Sequence, residues 1–411
     1  MLRDVRVSEN TGHVSLTMPV IAPSVLMVTR EMSDDRRYGL GRSLMPVVEA
    51  LASQGWRVRY LCQEDLPVFA KPNRQRWLNR FNRLPWIGKT GRRQQLMSAL
   101  AERLQMGWFA AEVARKDAFA AVHLHDPWLG IGFWLGATVL RLRDVRWGIT
   151  EHGFGCYSRA THEDGLTQGP QLQRWLRSLE AATLGAANWV TAPTQLALDQ
   201  LARDLALPFN PGHWRVIPHA APDVVLNDKA VARAQLGWEL NAFHVIGVGR
   251  LVPLKRFDIL VGACASLAAR YPGLRLHLLG DGDRGSFQQQ ADAAGFGDRL
   301  HFAVVDNVQP YLAAADVYAS TSVTESFGLA NFEALAAGLP CICTAVGGVP
   351  EVMGRGAWLI PVNQQVLASA IEELICNPGQ REAWSARAHV QAKLAPRLAL
   401  VTEQYVQLYR Q

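Results

Sequence analysis

Short apolar runs and longer amphipathic stretches alternate along the chain. The first run, Ser24-Val25-Leu26-Met27-Val28-Thr29, is apolar and β-branched, as in a parallel strand buried on both faces. A polar loop, Arg30 to Arg37, and the turn Tyr38-Gly39-Leu40-Gly41 follow. Apolar residues then recur at Leu44, Val47, Val48 and Leu51, a helical spacing that stops at Gly55. Val58 to Leu61 reads as the next strand, and further strands are predicted at 120–124, 145–150, 188–191 and 214–218. A helix is predicted over 172–184, and Pro193-Thr194 opens another. Residues 222–240 turn polar and read as a linker. Beyond them the pattern restarts, with strands at 243–248, 274–279, 301–304, 316–319 and 342–344. A helix from Asn363 to Cys376 is stopped by Asn377-Pro378, and the chain ends on Leu398, Val401, Tyr405 and Leu408 at helical spacing. Regular β-α alternation in two halves predicts an α/β protein of two Rossmann-like domains. The boundaries read as an extension over 1–23, a first domain over 24–225, a second over 226–395 and a terminal helix over 396–411.

Composition narrows the class. The 411 residues are 49% hydrophobic and 19% charged, a globular balance with room for two or three domains. Six cysteines form no C-x-x-C pair, which argues against a structural zinc site; free thiols suit a reducing, cytoplasmic compartment. Cys341 and Cys343 lie two apart in an apolar strand and should face the same side. No apolar run reaches the roughly 18 residues of a membrane helix. Residues 14–28 have some signal-peptide character, but two acids precede them and two prolines interrupt them, so a polar extension leading into a first strand is the expectation.

One segment stands out by charge. Residues 66–101 hold no acid, yet carry Lys71, Arg74, Arg76, Arg80, Arg83, Lys89, Arg92 and Arg93 among Trp77, Leu78, Phe81, Leu84 and Trp86. Trp77, Phe81 and Leu84 share one helical face. Docking on an anionic membrane, holding an anionic acceptor, and forming an ordinary solvated insertion are all compatible with that pattern. Nucleic acid would fit the charge, but no binding module accompanies it.

The densest chemistry lies in 315–338, ADVYASTSVTESFGLANFEALAAG. A strand-like run leads to Glu325, a turn Ser326-Phe327-Gly328-Leu329-Ala330, and a helix-like run carrying Glu333 that stops at Gly338 and Pro340. Free amides at such a helix start favour an anion, and Gly328 lets a ligand approach the backbone. Upstream, Arg250 and Lys255 stand five apart in a loop after a strand, placed to neutralise a diphosphate. His152 ends another strand in Thr150-Glu151-His152-Gly153.

These elements resemble retaining glycosyltransferases of the two-domain GT-B fold, most closely glycosyltransferase family 4. The resemblance rests on Glu325 and Glu333 in the E-x7-E spacing, on ESFG, FEALAAGLP and VGGVPE, on Gly249-Arg250-Leu251…Lys255, and on Thr-x-His-Gly at 150–153. It implies two domains facing across a cleft, with the terminal helix crossing back onto the first. It gives Glu325 and His152 to the donor sugar, Glu333 to the ribose, and Arg250 and Lys255 to the diphosphate. Gly39, Gly41, Gly249, Phe327, Gly328 and Leu329 would line the sugar and phosphates, and Val305 would meet the base. A UDP-, GDP- or ADP-sugar would be the donor, a glycan or lipid-linked molecule the acceptor, and cell-envelope polysaccharide or glycolipid synthesis at the inner face of the membrane the setting, with no metal and no other cofactor. Asp281-Gly282-Asp283 has the form of the metal signature of the other large glycosyltransferase fold, but it reads as a turn before a helix. The sequence departs from the family at Gly39 and Gly41, where adjacent glycines are commoner, and at His219-Ala220-Ala221, which replaces an Asn-Gly turn. A nucleotide-sugar epimerase of the same fold and a non-catalytic nucleotide-sugar binder remain as alternatives.

Overall fold

The computed structural model describes residues 23–33, 39–81, 91–163, 166, 169–207, 211–225 and 227–411. In the first lobe β1 (Ser24–Val28), α1 (Gly39–Ser53), β2 (Arg57–Leu61), α2 (Ala70–Phe81), α3 (Gly91–Lys116), β3 (Ala121–Leu124) and α4 (Pro127–Leu140) come first. They are followed by β4 (Arg146–Thr150), α5 (Tyr157–Glu163), α6 (Pro170–Ala186), β5 (Trp189–Ala192), α7 (Gln195–Leu205) and β6 (Trp214–Val216). The second lobe starts with α8 (Lys229–Leu236), β7 (Phe243–Val248), α9 (Phe257–Leu267), β8 (Leu274–Leu279), α10 (Gly285–Ala293), β9 (Leu300–Ala303) and α11 (Gln309–Ala314). Next are β10 (Val317–Ser320), α12 (Leu329–Ala336), β11 (Cys341–Thr344), α13 (Val349–Met353), β12 (Ala357–Ile360), α14 (Gln364–Cys376), α15 (Pro378–Ala392) and α16 (Leu398–Arg410).

Each lobe holds one six-stranded sheet, ordered β2-β1-β3-β4-β5-β6 and β12-β11-β10-β7-β8-β9. Every described strand pairing is parallel. Strand alternation splits each core into two layers. Leu26, Val28, Val122 and Leu124 point to one face, toward the α3–α4 side, while Val25, Met27 and Trp189 point to the other. That second face is covered by Val47 and Leu51 of α1 and by Val401, Tyr405 and Val406 of α16. The terminal helix therefore does cross back onto the first lobe, and Tyr409 bonds its hydroxyl to His123 Nδ1 at 2.8 Å. In the second lobe Cys341 and Cys343 share one apolar layer, and Ile342 lies in the other.

Several elements depart from the sequence reading. The polar stretch 222–240 is not a plain linker. It contains α8, capped by Asp228 on the amides of Ala230 and Val231 (2.8 and 3.3 Å) and ended by Gly237 in the left-handed region, φ 67°. Arg233 of α8 bonds Asp316 Oδ2 at 2.6 Å, which fastens the helix to the second lobe. Helix α1 begins at Gly39 rather than Leu44, because the Glu31 carboxylate takes the Leu40 and Gly41 amides at 2.8 and 3.0 Å. In the basic segment, Leu78 is buried, and Arg74 bonds Gln105 at 3.2 Å and faces Glu102 at 3.7 Å. Residues 82–90 and the side chains of Lys71, Trp77, Phe81, Arg92 and Arg93 lie outside the described residues, and with them the expected apolar face of Trp77, Phe81 and Leu84. No helix among the described residues is long and apolar enough to cross a membrane.

The glycines at 130, 132 and 136 belong to α4, as close-packing residues. A Cβ at Gly132 would fall 2.3 Å from the Leu104 carbonyl oxygen, and one at Gly107 of α3 would fall 2.1 Å from that of Leu129. Backbone meets backbone here, so no side chain can yield. Gly132→Val should force the helices apart and lower stability by about 3 kcal/mol in urea unfolding. A loss under about 0.5 kcal/mol would mean that the crossing is not tight.

Candidate active site

Parallel strands send all their carboxyl ends to one edge of each sheet, and the two edges meet. The loops after β4 and β5 of the first lobe touch the loops after β10 and β11 of the second. Ser326 sits at the meeting point: its hydroxyl donates to the His152 carbonyl at 2.7 Å, and its own carbonyl accepts from Thr194 Oγ1 at 2.9 Å. Glu351 of α13 reaches across to accept from the Gln195 and Leu196 amides, at 2.8 and 3.0 Å, and so caps α7 from the opposite lobe.

The turn between β10 and α12 is shaped by glycine. Gly328 precedes α12 with φ 80°, a left-handed conformation that a β-carbon would strain. The loop after β11 then presses on the turn: Gly348 N donates to the Glu325 carbonyl at 2.8 Å, and a Cβ at Gly347 would fall 2.0 Å from that same oxygen. Phe327 is buried against Phe332 and His219, with ring centres 5.1 and 4.8 Å away. Leu329 opens α12, so its amide is among the first of that helix.

Charged groups converge on this turn from both lobes. Lys255, in the short helical turn after β7, pairs with Glu325 Oε1, which also accepts from Ser322 Oγ at 2.9 Å. Gly249 follows β7 beside Lys255, and a Cβ there would lie 3.3 Å from Lys255 Cε. Glu333, one turn into α12, pairs with Arg42 of α1 at 2.7 Å across the cleft. Burial pushes the Glu333 carboxyl up to about 7, against the pull of Arg42. Arg250 stands exposed and without an ion-pair partner among the described residues. Val305 follows β9 half-buried in the apolar layer of the second lobe.

His152 belongs to a row of histidines. Its Nε2 lies 3.1 Å from His125 Nδ1, and its ring stacks on His219 at 5.9 Å. Burial lowers the pKa of His152 and His125 well below the usual value, helped at His152 by His125 and His219 and at His125 by His123 and His219, and lowers that of His219 to about 4. All three are therefore neutral near pH 7 and act as hydrogen-bonding groups, not as charges. Arg42, His125 and His219 escaped the sequence reading. His125 had a signal in the alternation His123-Leu-His125-Asp126, and His219 in its place where the family has an Asn-Gly turn, whereas Arg42 carries none in its own segment.

The arrangement brings Lys255, Glu325, Glu333, His152, Gly249, Phe327, Gly328 and Leu329 to one cleft. Gly39 and Gly41 lie in the first turn of α1, next to Arg42, and the Gly41 amide is held by Glu31. Asp281 and Asp283 accept the amides of Gly282 and Gly285, at 2.8 and 2.9 Å, in the turn before α10. No group of three or more metal-ligating side chains occurs among the described residues. With cations, paired acids and a helix N-terminus facing each other, the cleft is built for a ligand that carries both phosphates and hydroxyls.

Comparison with known proteins agrees with this geometry. Residues 228–391 match the family of Glycosyl transferases group 1, and residues 38–220 match the Glycosyl transferase 4-like domain. The D-inositol 3-phosphate glycosyltransferase of Mycobacteroides abscessus is 31% identical over 67% of the chain, and the match spans 64% of that protein. The one from Actinosynnema mirum is 30% identical over 69% of the chain and 72% of its own length. Among solved structures, a sucrose-phosphate synthase from Thermosynechococcus elongatus aligns with TM-score 0.72 at 23% identity, covering 95% of this chain and 98% of its own. A glycosyltransferase involved in lipopolysaccharide biosynthesis aligns with TM-score 0.67 at 16% identity, covering 94% and 99%. The fold is the GT-B arrangement of two facing lobes.

The first lobe also contains a buried carboxyl whose titration can be followed. Glu180 of α6 accepts the Tyr157 and Ser158 amides, at 2.7 and 3.0 Å, and burial raises it from 4.5 to about 7 despite them. A raised acid holds its proton longer in the folded state, so its contribution to stability is complete below pH 4.5 and fades as pH rises through 7. Relative to Glu180→Gln, the wild type should lose on the order of 3 kcal/mol between those limits. Parallel stability–pH curves for the two proteins would rule this out.

Proposed function

The chain belongs to the Glycosyl transferases group 1 family, and from that membership we propose that it is a retaining hexosyltransferase acting on a nucleotide diphosphate sugar. The acceptor is a glycan or a lipid-linked molecule, and the setting is cell-envelope polysaccharide or glycolipid synthesis. The chain works in the cytoplasm, at the inner face of the membrane, where the basic segment 66–101 would lean on anionic lipid. The observation that carries the reading is the convergence of Lys255–Glu325 and Arg42–Glu333 on one interlobe cleft, beside the α12 N-terminus. UDP and UDP-glucose complexes of a fold relative from Anabaena make a uridine donor the first to try.

The reaction needs no covalent enzyme intermediate. The bond between the anomeric carbon and the outer phosphate oxygen breaks, and the departing diphosphate takes up the charge. Arg250, Lys255 and the first amides of α12 stabilise that charge electrostatically. An acceptor hydroxyl bonds to the anomeric carbon on the same face, and its proton passes to the leaving phosphate oxygen. Glu325 and the neutral His152 fix the sugar hydroxyls, Glu333 takes the ribose, and Val305 borders the base. Binding of the donor exchanges the Lys255–Glu325 and Arg42–Glu333 pairs for contacts to diphosphate and hydroxyls.

Incubation with a panel of UDP-, GDP- and ADP-sugars should raise the melting temperature with one base and not with the others. Lys255→Ala and Arg250→Ala should each lower turnover about 100-fold with the fold intact. Near-normal turnover in Lys255→Ala would defeat the scheme, and donor consumption without any acceptor would point to an epimerase instead.

A further inference from the structure

Glu351 closes the segment VGGVPE after β11, and no step of the donor chemistry uses it. It belongs to the second lobe, yet both its oxygens are spent on the first. Oε1 accepts from Gln195 N at 2.8 Å and Oε2 from Leu196 N at 3.0 Å, the first two amides of α7. The third amide, Ala197 N, goes to Thr194 Oγ1 at 3.2 Å, the helix's own cap. An acid from the other lobe therefore completes a helix start that is already capped locally. Helix α7 does not need Glu351 in order to begin, so the contact serves to hold one lobe against the other.

What Glu351 holds is the turn that carries Glu325. Gly348, at the start of α13, donates its amide to the Glu325 carbonyl at 2.8 Å. A Cβ on Gly348 would fall 2.0 Å from the Ser326 carbonyl oxygen and 2.7 Å from Thr194 Oγ1. The start of α13 is thus wedged between the turn and the first lobe, with no room for a side chain. Thr194 donates to the same Ser326 carbonyl at 2.9 Å, and Ser326 Oγ donates to the His152 carbonyl at 2.7 Å. Two successive carbonyls of the turn are fixed from two sides, that of Glu325 by its own lobe and that of Ser326 by the other. Glu351 closes this ring of contacts through α13. It is exposed, and water can replace an amide on a carboxylate, so the ring opens and closes at low cost.

We propose that Glu351 is a positioning residue for the transfer, which keeps the first lobe in register with the donor turn so that His152 meets the sugar held by Glu325. Its effect on turnover rests on the glycosyl-transfer reading, whereas the hold itself stands on the contacts between the lobes. Lys255, Glu333 and the first amides of α12 all belong to the second lobe and stay in place without Glu351. Glu351 should therefore matter to the step that needs both lobes and not to capture of the nucleoside diphosphate. A misplacement of about 1 Å is enough to slow such a step severely.

Two variants break the contact from opposite sides. Glu351→Gln keeps the shape and removes the carboxylate. Gln195→Pro removes one of the amides that the carboxylate takes. Thr194 is extended (φ −140°, ψ 153°), as the residue before a proline must be, and proline suits the first position of a helix. Each variant should keep its melting temperature within about 2 °C and its affinity for UDP, GDP or ADP within about twofold of the wild type. Each should lower turnover of the donor that the melting panel selects about tenfold. The double variant should lose little more than either single one. Spin labels at Val139→Cys of α4 and Val390→Cys of α15, in a Cys376→Ser background that removes the exposed native thiol, read the register without any donor. The distance between them should broaden or shift by more than about 2 Å in both variants. Unchanged distances overturn the proposal, and so does unchanged turnover alongside altered distances. A loss of nucleoside diphosphate affinity as large as the loss of turnover also overturns it, as does full additivity of the two variants. If no nucleotide sugar binds the wild type while the distances still respond, the transfer reading falls and the hold between the lobes stands.

Discussion

Parallel pairing is the constraint from which the rest of the molecule follows. A sheet whose strands all run one way must collect every strand-to-helix turn at one edge, and helices must cover both its faces. Two such sheets placed edge to edge make a cleft lined entirely by turns, where backbone amides are free and side chains are unencumbered by packing. The links between the lobes there are mostly polar: the Ser326 hydroxyl on the His152 carbonyl, the Thr194 hydroxyl on the Ser326 carbonyl, the Glu351 carboxylate capping α7, and the Arg42–Glu333 ion pair. Such polar links can be remade, unlike the apolar seam that fixes α16 to the first lobe. The lobes are thus tied firmly at the back by a helix and lightly at the front by hydrogen bonds.

The electrostatics of the cleft are arranged in pairs. Lys255 with Glu325 and Arg42 with Glu333 each neutralise a group that would otherwise be costly in a half-buried site. Neither pair is a strong source of stability, because desolvation consumes most of the attraction. Their value is positional: each holds an acidic and a basic side chain in place at the cleft. The histidines are handled by the opposite device, deep burial that keeps the rings neutral. Positive charge at the cleft therefore comes from lysine and arginine, and the imidazoles supply direction.

Much of this was legible in the chain. The apolar runs predicted the strands β1 to β11 to within a residue or two, since a strand buried on both faces has few other ways to read, whereas β12 at the sheet edge went unread. Phe243–Val248 and Leu274–Leu279 came out with the expected bounds. Glu325, Gly328 and Glu333 could be grouped because a strand, a turn and a helix start lie within one short segment, where spacing alone fixes proximity. The helix α8 was missed although Asp228 and Gly237 mark both its ends, because its polar composition outweighed its caps. The start of α1 was placed too late for a different reason: Glu31, on the preceding loop, supplies the carboxylate that caps it.

The sequence by itself determined the α/β class, the division into two halves, and the local chemistry of the Glu325–Glu333 segment, all of which depend on residues near one another along the chain. Only the tertiary structure decided which distant groups meet them. Arg42 reaches Glu333 from nearly three hundred positions away, His219 closes on Phe327, and Tyr157 gathers Arg30 and Arg103. None of these pairings has a period or a spacing. They arise because two parallel sheets aim their turns at one another, and that is a property of how the chain packs rather than of any stretch of it.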